Sequence, residues 1–135
     1  MSKIIIDATN ATLGRLASYA AKKALQGNEI IIVNSESAVI TGNRESIIER
    51  YDTLRKKGGS SQKGPHIIRK SERILKRSIR GMLGDHREGR GREAWKRIRC
   101  YDSVPEEFKN EKMIKSGKVL LHKKYITLKH LVERL

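Results

Sequence analysis

KIIIDATNATLGRLASYAAKKALQGNEIIIVN, Lys3 to Asn34, sets two short apolar runs either side of a helical spacing, and that order decides the fold. The runs KIIID (Lys3–Asp7) and EIIIVN (Glu29–Asn34) are continuously hydrophobic rather than alternating, as in strands buried on both faces of a parallel sheet. Between them Leu13, Leu16, Ala17, Ala20 and Ala24 recur at helical spacing. Thr12 is placed to cap the start of that helix, and Gly27-Asn28 to end it through a left-handed residue. The stretch is a strand-helix-strand unit, whose crossover should be right-handed.

Moving outward, Ala38–Thr41 (AVIT) reads as a third short strand. Gly42-Asn43 then opens a helix with Ile47, Ile48, Tyr51 and Leu54 on its inner face. Two readings of its start stand side by side: a plain cap by Asn43, and an anion seat made from the first backbone N–H groups. Lys56–Gly64 (KKGGSSQKG) is too rich in glycine, serine and lysine to form a packed element. It is either a linker or a basic segment that orders itself on a polyanion.

Pro65–Tyr101 carries the charge. Between Arg69 and Arg99, 12 Lys/Arg stand against four acids, so 31 residues supply +8 of a total of +15. Taken as a helix over 67–83 at roughly 100° per residue, Ile67, Ile68, Ile74, Leu75, Ile79, Met82 and Leu83 fall in one arc of roughly 180°. Arg69, Lys70, Arg73, Lys76, Arg77 and Arg80 fall in the other. A merely solvated face usually mixes signs to form i,i+4 pairs. Here Glu72 is the only acid, which favours a face that binds a polyanion. After it, Gly84–Gly91 (GDHREGRG) reads as a basic turn-rich loop, followed by a short helix near Arg92–Arg97 and a strand near Ile98–Tyr101.

Residues 102–118, with Pro105 and many charges, read as an extended excursion over the surface. Val119–Leu121 reads as a small strand, and Thr127 as the cap of a last helix with Leu128, Leu131, Val132 and Leu135 as its stripe. No internal repeat appears. A chain of 135 residues is expected to be one domain, 1–135, able to bury roughly two-thirds of its unfolded surface.

A net charge of +15 makes the folded chain repel itself, a cost that a polyanionic partner offsets. Nucleic acid is the leading candidate and acidic membrane the second. Aromatic residues are only 4% of the chain, too few for rows of base-stacking platforms, so the expected grip is on phosphates and shape. The single Cys100 excludes an internal disulfide and a cysteine metal cluster, which suits a reducing cytoplasm. No run approaches the roughly 18 apolar residues of a membrane span, and MSKIIIDATNA lacks the pattern of a signal peptide.

Chemistry finds no foothold in the spacing. His66, His86, His122 and His130 do not recur with Cys100 or the acids as a catalytic or metal-ligating set, and no P-loop, H-E-x-x-H or G-x-S-x-G pattern is present. Gly89-Arg90-Gly91 is too short for a dinucleotide fingerprint. No cofactor and no small-molecule substrate are expected. Asp7, at the carboxyl end of the first strand, is where an open α/β sheet places ligand groups, although a single acid there more often caps a turn.

Five pieces in order resemble one family. Asp7, Leu13-Gly14-Arg15-Leu16-Ala17-Ser18, Val33-Asn34-Ser35-Glu36, Ile40-Thr41-Gly42-Asn43, and Ile79-Arg80-Gly81-Met82-Leu83 followed by Gly89-Arg90 and Ile98-Arg99-Cys100-Tyr101 are similar to the ribosomal protein L13 family of the large subunit. Gly84 stands where that family usually has proline, and Ser103 where it usually has glycine. Val104-Pro105-Glu106-Glu107 resembles the archaeal branch. The resemblance implies a three-layer α/β/α fold with a small, mainly parallel four-stranded sheet and a long basic helix. It further implies no catalysis, with large-subunit rRNA and neighbouring ribosomal proteins as partners.

The expected rRNA-binding residues follow. The helix supplies Arg69, Lys70, Arg73, Lys76, Arg77 and Arg80, to which the resemblance adds Gly81. Flanking segments supply Lys56, Lys57 and Lys63 on one side and Arg87, Arg90, Arg92 and Arg97 on the other. By resemblance Thr41, Gly42 and Asn43 join them. The rival reading is an RNA-processing or RNA-modifying enzyme using Asp7 and Thr41–Asn43; a membrane-surface or DNA-compacting protein is a further one.

Overall fold

The computed structural model describes residues 2–57, 64–65, 67–115 and 124–135. In chain order the elements are β1 (Lys3–Asp7), α1 (Leu13–Leu25), β2 (Glu29–Val33), a 3-10 turn (Ser35–Ser37), β3 (Val39–Thr41) and α2 (Arg44–Lys56). Then come α3 (Ser71–Gly81), α4 (Gly89–Lys96), β4 (Ile98–Cys100), a second 3-10 turn (Glu106–Phe108), β5 (Ile114–Lys115), β6 (Tyr125–Thr127) and α5 (Leu128–Arg134).

The two isoleucine runs lie side by side. β1 pairs with β2 in parallel, Ile5 opposite Ile31 and Ile6 opposite Ile32, and the sheet extends to the order β4-β2-β1-β5 with every pair parallel. Strand side chains alternate between faces, so the continuous runs divide. Ile6, Ile30 and Ile32 join the large core beneath the helices, while Ile5, Ile31 and Val33 join a smaller one with Phe108 on the opposite side. Full burial of each such side chain contributes about 1.5–3 kcal/mol.

On the first face α1 buries Leu13, Leu16, Ala17, Ala20, Ala21 and Ala24, and packs against α3 and α4. Its alanines cost little side-chain entropy and let neighbouring helices come close. Thr12 stands at its N-cap position, and Gly27, at φ +100°, turns the chain out of it. There the Gly27 N–H donates to the Ala24 carbonyl and the Asn28 N–H to the Lys23 carbonyl. On α2 Ile48 alone is fully buried, with Ile47, Tyr51 and Leu54 half-buried at its edge.

The third strand finds its place here, and three sequence expectations are corrected. The third strand, β3, does not enter the parallel sheet; it pairs antiparallel with β6 in a separate two-stranded ribbon. Of the excursion expected over 102–118, the described residues 102–115 do not merely run over the surface. Phe108 is buried at 3% exposure, β5 closes the sheet beside β1, and residues 101–113 form the layer over the second face. The charges flanking Phe108 hid it, since one aromatic ring gives no periodicity.

The central helix is shorter than 67–83, because Lys70 is extended (φ −140°, ψ 133°) and the helix starts at Ser71. Asp102, thirty residues away, accepts the Glu72 N–H at 3.0 Å and caps that start, so no local residue announces it. Ile67 stays buried but Ile68 and Met82 are 52% and 44% exposed. Finally α4 begins at Gly89, inside the expected loop. A Cβ on Gly91 would lie 2.1 Å from the Asp85 carbonyl oxygen, so the glycine there serves close backbone approach rather than a turn. The strand expected at Val119–Leu121 lies outside the described residues.

Both departures from the family pattern have a local reading. Gly84 sits at φ +77°, in the left-handed region closed to proline, and Ser103 has no positive φ that would call for glycine.

Candidate nucleic-acid interface

Helix α3 separates its side chains as its spacing predicts. Ile74, Leu75 and Ile79 are buried against the core, while Arg73, Lys76, Arg77 and Arg80 project from the other side. Among the described residues none of these four cations is in an ion pair; the ion pairs join Lys3 to Glu111, Arg55 and Lys56 to Asp52, and Arg134 to Glu45. The Lys76 Nζ sits 4.7 Å from the centre of the Trp95 ring, a cation–π contact that tethers α3 to α4. The result is a positive row whose cations form no ion pair with a carboxylate among the described residues.

The remaining expected cations divide into two kinds. Lys57, Lys70, Arg87 and Arg92 are exposed, and none is in an ion pair among the described residues. Four others are held by the fold. Arg90 donates through Nε and Nη2 to the Leu25 carbonyl at 3.3 and 3.1 Å, and Arg97 through Nη1 to the Ala24 carbonyl at 3.0 Å. Both therefore satisfy carbonyls at the C-terminal end of α1, where the helix dipole also favours positive charge. Arg69 donates to the Leu135 main-chain oxygen at 2.9 Å, and Lys56 pairs with Asp52 at 2.9 Å. Lys63 lies outside the described residues, as does most of the 56–64 loop. Gly81 is exposed at the end of α3.

At Thr41–Asn43 the plain cap is what the geometry provides. Asn43 Oδ1 accepts the Glu45 and Ser46 N–H groups at 3.0 and 3.3 Å, and the Gly42 N–H donates to the Lys124 carbonyl. Those N–H groups are already partnered. Arg44 completes the junction by donating to the Tyr125 carbonyl at 2.8 Å.

Asp7 is likewise occupied. Its Oδ1 accepts from the Thr9 N–H, the Thr9 hydroxyl and the Asn34 amide at 3.0, 2.7 and 3.1 Å, tying the ends of β1 and β2 together. Burial pushes its carboxyl pKa up, but the hydrogen bonds from Thr9 and Asn34 outweigh that and hold it below the ordinary value. Burial also pushes the Cys100 thiol up to about 12, so it is a protonated, half-buried packing group rather than a nucleophile. Among the described residues no three His, Cys, Asp or Glu side chains converge as a metal site, and no helix is long and apolar enough to cross a membrane.

Two residues beside this face were not among the expected ones. Arg99 is exposed on the edge strand β4 and lines a cavity with Glu72, Arg73, Lys76 and Tyr101. Its position between buried Ile98 and Cys100 is an alternation the sequence does show. Trp95 of α4 lines a groove along α3 together with Ile67 and Ile68 of the segment before that helix, a juxtaposition no local pattern shows.

The sequence model of the family described as Ribosomal protein L13 matches residues 2–107. The large ribosomal subunit protein uL13 of Archaeoglobus fulgidus is 44% identical over 129 residues, covering 92% of this chain and 81% of that relative. The uL13 of Picrophilus torridus is 47% identical over 108 residues, 80% of this chain and 77% of its own length. That of Methanocaldococcus jannaschii is 42% identical over 134 residues, 97% of this chain and 96% of its own length.

Proposed function

Because the chain belongs to the ribosomal protein L13 family, we propose that it is a structural constituent of the cytoplasmic large ribosomal subunit that holds folded rRNA by neutralising its phosphates. It works as a structural component rather than an enzyme, the whole chain acting as one unit. The observation that carries the reading is the row Arg73, Lys76, Arg77 and Arg80, four cations on one helix face with no carboxylate paired to any of them among the described residues. Lys57, Lys70, Arg87, Arg92 and Arg99 extend the positive surface to either side. Large-subunit rRNA is the partner this surface suits, and adjacent ribosomal proteins complete its surroundings.

A phosphate grip of this kind releases counterions. If about five to eight phosphates are neutralised, log affinity for large-subunit rRNA falls against log salt with a slope of roughly −4 to −7. Filter binding across a salt series measures it. A slope near zero removes the model.

A further inference from the structure

The groove that Trp95 lines joins two properties that a phosphate clamp alone does not require. Its apolar lining is Ile67, Ile68, Ile74 and Trp95, and its rim is Arg73, Lys76, Arg77 and Arg80; no acid lines it among the described residues. Ile68 is 52% exposed, an apolar side chain left in water among cations. The indole is also fixed in advance, with Lys76 over the ring and the His86 ring set against it at 6.5 Å and 67°. A preformed apolar recess costs an incoming group little further ordering.

We propose that this groove receives one unpaired nucleotide of the bound rRNA, its base against Ile68 and Trp95 and its flanking phosphates at Arg73, Arg77 and Arg80. The inference rests on the rRNA-binding reading above and adds a base contact to it. Charge complementarity selects the occupant: the rim calls for anions, the floor for a flat and weakly polar body. A nucleotide carries both within one residue, with a phosphate on each side of the base. The acidic side chains of a peptide meet the rim but offer the floor only their aliphatic stems. Stacking on an aromatic or guanidinium plane is tolerant of base identity, so the groove recognises that a base is unpaired, not which base it is.

Trp95 is the only tryptophan of the chain, so its emission reports this groove directly. The full chain is titrated with a fully paired RNA hairpin, with four hairpins of the same length each bulging one of the four bases, with large-subunit rRNA, and with poly-glutamate. The expected result is that all four bulged hairpins quench Trp95 and bind about tenfold tighter than the paired one, whereas a response confined to one base would overturn the base-tolerant groove. Ile68→Ser, a change at an exposed position, then removes most of that preference while leaving paired-hairpin affinity and the thermal midpoint unchanged. Paired and bulged hairpins binding alike, with salt dependence but no change in emission, would overturn the groove and leave the phosphate grip standing. Poly-glutamate quenching as strongly as the bulged hairpins would overturn it in favour of a peptide site. Absence of salt-dependent binding to every RNA, rRNA included, would overturn the reading beneath it.

Discussion

Helix α3 and the C-terminal end of α1 both gather arginines, and they put them to opposite uses. Along α3, Arg73, Arg77 and Arg80 leave their charge toward solvent. At α1, Arg90 and Arg97 fold back onto the protein and donate to the Leu25 and Ala24 carbonyls, Arg90 while remaining exposed. The charge per side chain is the same in the two places. What differs is whether a backbone acceptor lies within reach. Net charge therefore overstates the surface offered to a partner, because part of it is spent on capping a helix of the same molecule.

That contrast breaks or sharpens under substitution. The largest effect belongs to the support beneath the α3 row: Leu75→Ala should cost about 2–5 kcal/mol in denaturant unfolding, with the rRNA affinity of the remaining folded protein unchanged. Next, Arg97→Ala should lose about 1.5–3 kcal/mol of stability, the range for a hydrogen bond to a charged group, while leaving the salt slope of rRNA binding as it was. A shallower slope with an intact melting curve would move Arg97 into the α3 class.

Arg73→Glu is the mirror experiment. It should weaken rRNA binding about tenfold and make the salt slope shallower by about one, with the thermal midpoint nearly unchanged. Destabilisation without a change in slope would erase the distinction between the two groups.

The smallest effect lies at Asp7, which serves neither group. Its folded pKa is held below 3.8, so between that depressed value and 3.8 the unfolded chain binds more protons than the folded one. Its contribution to stability is therefore complete above 3.8 and lost as pH falls through the folded value. Asp7→Asn should flatten that part of an acid-unfolding curve and leave rRNA binding at neutral pH alone. Loss of RNA binding at neutral pH would instead restore a functional role for this carboxylate.

Much of this was legible in the residues. The isoleucine runs predict a parallel pair, the Leu13–Ala24 spacing predicts α1, and the arcs of α3 predict which side chains face the core. What was not legible depends on partners distant in sequence. The start of α3 is set by Asp102, the second face of the sheet by Phe108, and the folding back of Arg90 and Arg97 by the end of α1. Glycine misled in one place for a physical reason, since Gly91 reads as loop but is required within a helix. The candidate site divides along the same line: the α3 face is a local pattern, whereas the groove at Trp95 brings together residues 67–68, α3 and a side chain of α4.

That Gly91 contact reaches further than its own turn. Residue 91 lies against the Asp85 main chain with no room for a methyl group, so helix α4 and the segment before it are clasped backbone to backbone. Arg87 and Trp95 ride on the two halves of that clasp. A side chain added there would pry the halves apart, and the damage would surface as misaimed contacts to a partner, in residues the substitution never touches.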